Sequence, residues 1–305
     1  MGASILISAI LVAGAWIYAA GLKEAPTLVQ DEVGATTLEG VEEKVLPPEG
    51  VVLPVRFGDL GAKMVSVGVI DRDKFEQLYL SQGKLDAEAK SLLDGKSNNN
   101  LKITSENSGM ILNLLWALGL ATKNDILSSG EMADPKYGAR LPDGQGAENF
   151  ASTGGWTLAK GDPSTDSGQA TMEHYSRHQF VVLNPEEQAL VERVSKNIYR
   201  PCCDNTTHFP DCNHGMAMLG LLELMASQGV GEDEMYRVAL QVNSYWFPDN
   251  YLTIAKYLDS KGVAWGSASP KEILGYAFSS GSGYRKILSQ TTIPREKKPS
   301  GKCSV

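Results

Sequence analysis

Residues 106–121 read ENSGMILNLLWALGLA. Beyond Asn107 the run is apolar almost all the way round a helical turn, with Ile111, Leu112, Leu114, Leu115 and Leu118 spread over every face. A helix without a polar face belongs in the middle of a core, where other elements cover it on all sides. Its sixteen residues are fewer than the roughly 20 that cross a bilayer, and Glu106 and Asn107 stand at its start. The stretch therefore predicts a central buried helix, and with it a mainly α domain.

Helical signals continue on both sides. Towards the N-terminus, Asp71 can cap a helix through Phe75, Leu78 and Tyr79, and Leu85 to Leu93 forms a shorter one. Gly83, Gly95 and the Asn98-Asn99-Asn100 run read as turns. Towards the C-terminus, Asn184-Pro185-Glu186-Glu187 is a helix start with Asn as cap, Pro first and Glu third. Leu190, Val191, Val194 and Ile198 then share one face. Further helices are expected over residues 212–228, stopped by Gly229, from Glu232 to Trp246, and over residues 250–260. Only Val51 to Val55 and Gln179 to Leu183 read as extended. Residues 130–170, rich in Gly, Asp, Ser and Pro, form a long irregular excursion that Trp156 ties to the core. Trp116, Trp246 and Trp265 read as core in the same way.

The ends bear on location. Residues 1–22, MGASILISAILVAGAWIYAAGL, carry no charged side chain and are long enough to cross a membrane, with Trp16 and Tyr18 near the boundary. A cleaved signal peptide ending at Ala19-Ala20-Gly21 is the rival reading. Both place the rest of the chain outside the cytoplasm, at the cell surface or in the periplasm. Residues 23–50, with seven acidic side chains and Pro47-Pro48, read as an extended acidic spacer. The folded domain is then residues 51–293, and residues 294–305 are a flexible basic tail. The expected architecture is a single helical domain with a long irregular loop, preceded by one N-terminal transmembrane helix.

The whole chain has 305 residues, 42% hydrophobic and 21% charged, within the usual range of globular proteins. A formal charge of -8 argues against a nucleic-acid binder that works through a broad basic face. Four cysteines are too few for a disulfide scaffold. Three of them crowd into Arg200-Pro-Cys202-Cys203-Asp-Asn-Thr-Thr-His208-Phe-Pro-Asp-Cys212-Asn-His214-Gly-Met216-Ala-Met218. Thiolate, imidazole and thioether are the donors that hold zinc and copper(I). A thiolate at Cys212 would also gain from the start of the helix that follows. Cys202, Cys203, Cys212 and His214 are the expected ligands, with His208 a fifth and Met218 one turn beyond His214 on the same face. His174 and His178 read first as an exposed polar turn; as a second candidate pair they are spaced to share a helix face and chelate one ion, with Glu173 beside them.

The same cysteines admit two other functions. Cys212 paired with Cys202 or Cys203 would be a structural staple in a non-enzymatic scaffold or binding protein of the cell envelope. One exposed cysteine of depressed pKa would instead make a thiol–disulfide redox partner. The methionines, for their part, read equally well as core filler. No GxSxG, Walker or dinucleotide pattern occurs, so no catalytic residue is assigned. Asp162 to Gly168 is loosely like a calcium loop, and Asn205-Thr206-Thr207 fits a glycosylation acceptor. The leading expectation is a membrane-anchored extracytoplasmic protein that binds copper or zinc through the loop at 200–218, with a protein partner in the cell envelope as a further expectation.

An Arg-x-Cys loop, an apolar helix, a Gly turn, an acidic-start helix and a closing aromatic pair resemble, in that order, the helical hairpin of cytochrome c maturation proteins of the CcmH type. The likeness spans about residues 190–250, and in that family two cysteines near the membrane handle the thiols of apocytochrome. The family pattern is Cys-x-x-Cys, whereas this chain has Cys202-Cys203 and a separate Cys212; no catalytic role carries over. Segments 53–80 and 145–260 also resemble a group of uncharacterised membrane-anchored bacterial proteins, a likeness that implies no activity.

Overall fold

A computed structural model describes residues 38–83, 86–137, 147–161 and 171–291. It is mainly helical, with one two-stranded sheet among the described residues. The expected membrane segment, the Asp162 to Gly168 loop and Cys303 lie outside the described residues. No helix among the described residues is long and apolar enough to cross a membrane.

The expected central helix is α5, Ser108–Ala121. Every residue from Met110 to Ala121 is buried, which is why the segment needs no polar face. Its main partner is α8, Asn213–Ser227, equally buried along most of its length. The two helices approach closely because glycines meet at the crossing. A Cβ on Gly119 would stand 2.2 Å from the Met216 carbonyl oxygen, and one on Gly220 would stand 2.5 Å from that of Leu115. Met216, Met218 and Met225 of α8 lie in this core, as the core-filler reading expects.

Around this pair, α7 (Pro185–Ser195) carries the expected capping box. The Asn184 side chain accepts from the Glu186 and Glu187 amides, and the Glu187 carboxylate accepts from the Asn184 amide. Helix α9, Glu232–Trp246, and α10, Pro248–Ser260, follow as the sequence predicts. Asp71 caps α3, Arg72–Leu80, through the amides of Asp73 and Lys74, and α4 covers Ala87–Asp94. Trp156 is fully buried edge-on against Trp116, with centroids 5.0 Å apart. Its indole N–H donates to the Val69 carbonyl and that of Trp116 to the Ser152 carbonyl, so residues 152–156 of the irregular excursion are bolted to the core.

Four expectations need correction. The Asn98-Asn99-Asn100 run is not a turn but the start of strand β2, Asn98–Ile103, antiparallel to β1, Val51–Gly58. Asn98 holds that end by donating to the carbonyls of Gly58 and Ser91. Gln179 to Leu183 is not a strand, because His178 alone bridges Thr122 and Val182 stands exposed. Part of the acidic spacer is helical, as α1, Leu38–Val45, with Val41 and Val45 in the core. Tyr245 and Gln241 of α9 bond the Pro47 and Val45 carbonyls, which seats that segment. Beyond α10, residues 270–288, assigned no element from sequence, form the short helices α11 (Pro270–Leu274), α12 (Tyr276–Ser279) and α13 (Gly281–Leu288). Helices α2 (Leu60–Val67) and α6 (Asp125–Ser128) complete the set.

Candidate metal centre

The cysteine loop is a small closed structure between α7 and α8. Tyr199 bridges Thr206, and the amides of Thr207 and His208 return to the carbonyls of Ile198 and Ser195. This brings Cys202 and Cys203 to the tip of a tight turn. The chain then runs through Pro210 to Cys212, which occupies the cap position of α8. The turn is fixed from outside as well. The Cys203 carbonyl accepts from the Gly281 amide at 2.7 Å, and the Asp204 carboxylate accepts from the amide and hydroxyl of Ser282.

The three cysteine sulfurs lie within 4.8 Å of one another, and no other group of three or more His, Cys, Asp or Glu among the described residues is set to hold a metal. Cys202 is exposed, Cys203 intermediate and Cys212 buried. The Cys202 and Cys212 sulfurs are 3.8 Å apart. That separation matches the edge of a tetrahedron about a metal with bonds of ~2.3 Å, which is about 3.8 Å. The sulfurs therefore need little movement to close on one soft ion. Three protein ligands leave one position for an outside group.

Behind the sulfurs lies Arg200, only 2% exposed. Its Nε donates to the Cys212 sulfur at 3.0 Å, Nη1 to the Asn205 carbonyl, and Nη2 to the Phe209 carbonyl and the Asp211 carboxylate. A buried guanidinium costs several kcal/mol unless its donors are used; here each nitrogen has a partner. Asp211 is tied in turn by the Asn205 amide at 2.9 Å. The guanidinium fits because residue 215 is glycine: a Cβ there would stand 2.6 Å from the Arg200 Cζ.

These contacts set the thiol chemistry. Hydrogen bonds from Cys202 and Cys203 hold the Cys212 thiol well below its ordinary range; burial opposes them, and Arg200 and His214 add to the effect. A bond with Cys202 pulls Cys203 down, but its bond to Cys212 and its burial win and push it up to about 11. Burial works against the Arg200 charge, yet the surrounding Cys212, Cys203 and Asp211 keep it firmly protonated. Of these sulfurs, Cys212 is the one whose ionisation is favoured, with a buried cation beside it.

The histidines take separate places. His214 sits in the first turn of α8 against Phe247 and Trp246, with ring centroids at 4.4 and 5.9 Å, and contacts Cys212. His208 points its Nδ1 towards Glu131, 3.8 Å away, and burial lowers its pKa. His174 and His178 face each other, Nδ1 to Nε2 at 3.0 Å, with His178 stacked on Phe180. They lie on a turn, as the first reading expects, and not on a helix face, but the turn is not an exposed one: His174 is buried and His178 half-buried. Ser176 adopts a left-handed φ of 52° and curls the chain back, so the two rings still meet. Met218 is core. The Asn205 amide, the glycosylation candidate, is engaged with Asp211.

Arg200, Asp211 and Gly215 were assigned no role from sequence. A lone arginine two residues before a cysteine pair in an acidic chain was the available signal; its burial shows only once the loop closes. No protein-family model, curated protein or solved structure matches the chain, so the site is read from its own geometry.

Proposed function

We propose that the chain binds one soft, closed-shell metal ion, zinc(II) or copper(I), through Cys202, Cys203 and Cys212. The observation that carries this is the sulfur triangle, already near the spacing of a thiolate metal site and backed by a buried guanidinium. Three thiolates on a divalent ion leave a net negative complex, and Arg200 is placed to balance it. His214, in contact with Cys212, is the nearest candidate for a fourth donor, whereas His208 faces Glu131, His174 and His178 face each other, and Met218 lies in the core. Soft sulfur donors favour these ions over magnesium or calcium.

The test is metal content of the full chain purified in detergent, reduced and without chelator. About one zinc or copper per chain is expected, lost in Cys212→Ser and kept in His208→Ala. A folded, reduced protein with no bound metal would end the proposal.

We further propose that residues 1–22 anchor the chain, with the metal loop outside the cytoplasm. The support is the uncharged apolar run itself. An alkaline wash should leave the chain with the membrane fraction; its release would remove the anchor.

A further inference from the structure

We propose that the thiol cluster is also an oxidation gate, in which a low-molecular-weight disulfide links Cys202 to Cys212 and the site then releases its ion. The release half rests on the metal reading above; the disulfide half rests on the cysteines alone.

Three placements carry it. Cys202 is the exposed sulfur, the one an outside disulfide reaches first. Cys212 is buried directly behind it, its sulfur 3.8 Å away and in contact with the Arg200 Nε. Cys203 is a poor partner for Cys202, since consecutive Cα atoms are about 3.8 Å apart whereas disulfides usually need 4.4 Å or more. Its backbone is also held, through its carbonyl on Gly281 and the neighbouring Asp204 on Ser282.

The chemistry balances as two exchanges. The Cys202 thiolate attacks one sulfur of R–S–S–R, forming a mixed disulfide and expelling RS⁻. The Cys212 thiolate then attacks the Cys202 sulfur, forming the internal bond and expelling the second RS⁻. The two cysteine thiolates give up two electrons, and the outside disulfide is reduced to two thiolates that take their protons from water. Two of the three metal donors are consumed and Cys203 alone remains. Ion and internal disulfide are therefore mutually exclusive occupants of the same sulfurs, and a thiol reductant restores the first.

The experiment treats the reduced, zinc-loaded full chain with oxidised glutathione, follows zinc with a chromogenic chelator and maps cysteines by peptide mass. Expected are a Cys202–Cys212 bond, an alkylatable Cys203, zinc released mole for mole, and recovery of binding with dithiothreitol. Cys212→Ser should stop with glutathione held on Cys202, and Cys202→Ser should not react at the cluster. A lasting mixed disulfide in the unmodified protein, a bond to Cys203, or zinc retained after the internal bond has formed would each overturn the gate. If the reduced protein takes up no zinc, it is the metal reading that fails and release falls with it, while the map still decides the exchange.

Discussion

Helix α8 carries a buried acid at its start, Cys212, and another about three turns along, Glu223; the two hold their protons in opposite ways. Cys212 has thiol donors in front, a guanidinium at 3.0 Å behind and the His214 side chain beside it, and its pKa falls. Glu223 is fully buried where the helix has already used its own amides. One carboxyl oxygen accepts from the Asn124 amide at 2.7 Å; the other has no hydrogen-bond partner among the described residues. Burial pushes its pKa well above the ordinary carboxyl range, against the pull of Asn124. Depth is the same for both groups. What differs is the supply of donors, so charge inside this fold is decided by local partners and not by burial alone.

The largest test removes the donor supply at the helix start. Arg200→Leu leaves the Asp211 carboxylate, the Cys212 thiolate and two carbonyls without their partner, and should cost about 3–5 kcal/mol in urea denaturation. In whatever fraction stays folded, ultraviolet titration of the thiolate should show Cys212 ionising at higher pH. Arg200→Lys should fall between, because one ammonium cannot reach all of those acceptors together. A neutral outcome for Arg200→Leu would mean that the guanidinium does not hold the loop.

A subtler version acts through space. Gly215→Ala improves helix propensity by up to about 1 kcal/mol, yet its methyl would sit 2.6 Å from the Arg200 Cζ. The clash should win, with a net loss of about 1–2 kcal/mol and weaker zinc binding. A stabilised variant with unchanged binding would show that Arg200 has room to move.

At the other end of the comparison the sign reverses. The folded pKa of Glu223 lies above the unfolded value of about 4.3, so the native state holds the extra proton. Its contribution is complete below the unfolded pKa and is lost as pH rises towards the raised folded one. Glu223→Gln keeps an acceptor for Asn124 and cannot ionise. It should stabilise the protein by about 1 kcal/mol at neutral pH and remove this part of the pH dependence. Destabilisation at neutral pH would mean that the carboxylate is charged and partnered.

Much of this contrast was half-visible in the sequence. Glu223 is the only Asp, Glu, Lys or Arg in Asn213–Ser227, and the crowding of cysteines marked the site before any fold was known. The long helices were legible because their caps and periods are local, as at Asn184 and Asp71. The elements that escaped depend on distant partners. Strand β2 begins with three asparagines, poor strand formers, and exists because β1 and the carbonyls of Gly58 and Ser91 receive them. The helices of residues 270–288 are short, although Ser269 before Pro270 and Ser280 before Gly281 are their caps. At the site, spacing identified the sulfurs but not Arg200, since an arginine reads as exposed until something encloses it. His208 and Met218 looked like ligands by proximity along the chain, and the fold sends one to Glu131 and the other into the core.

The histidine pair supplies the intermediate case and the smallest expected effect. His174 and His178 share one short contact, and burial lowers both pKa values; His178 adds to the lowering at His174, and Arg177 disfavours the charge on each. Their folded pKa values lie below the unfolded value of about 6.5, so their contribution is present above that pH and is lost as pH falls through the folded values. His178→Gln can keep a hydrogen bond to His174 while removing one titrating ring. Stability of this variant should match the parent at pH 8 within a few tenths of a kcal/mol and decline less steeply below about pH 6.5. An unchanged acid slope would place the acid sensitivity elsewhere. If the slope instead steepened, the pair would be holding a shared proton, donated from one ring to the other and stabilising at low pH. It would then belong with Cys212, as a group whose charge is set by a partner, and not with Glu223.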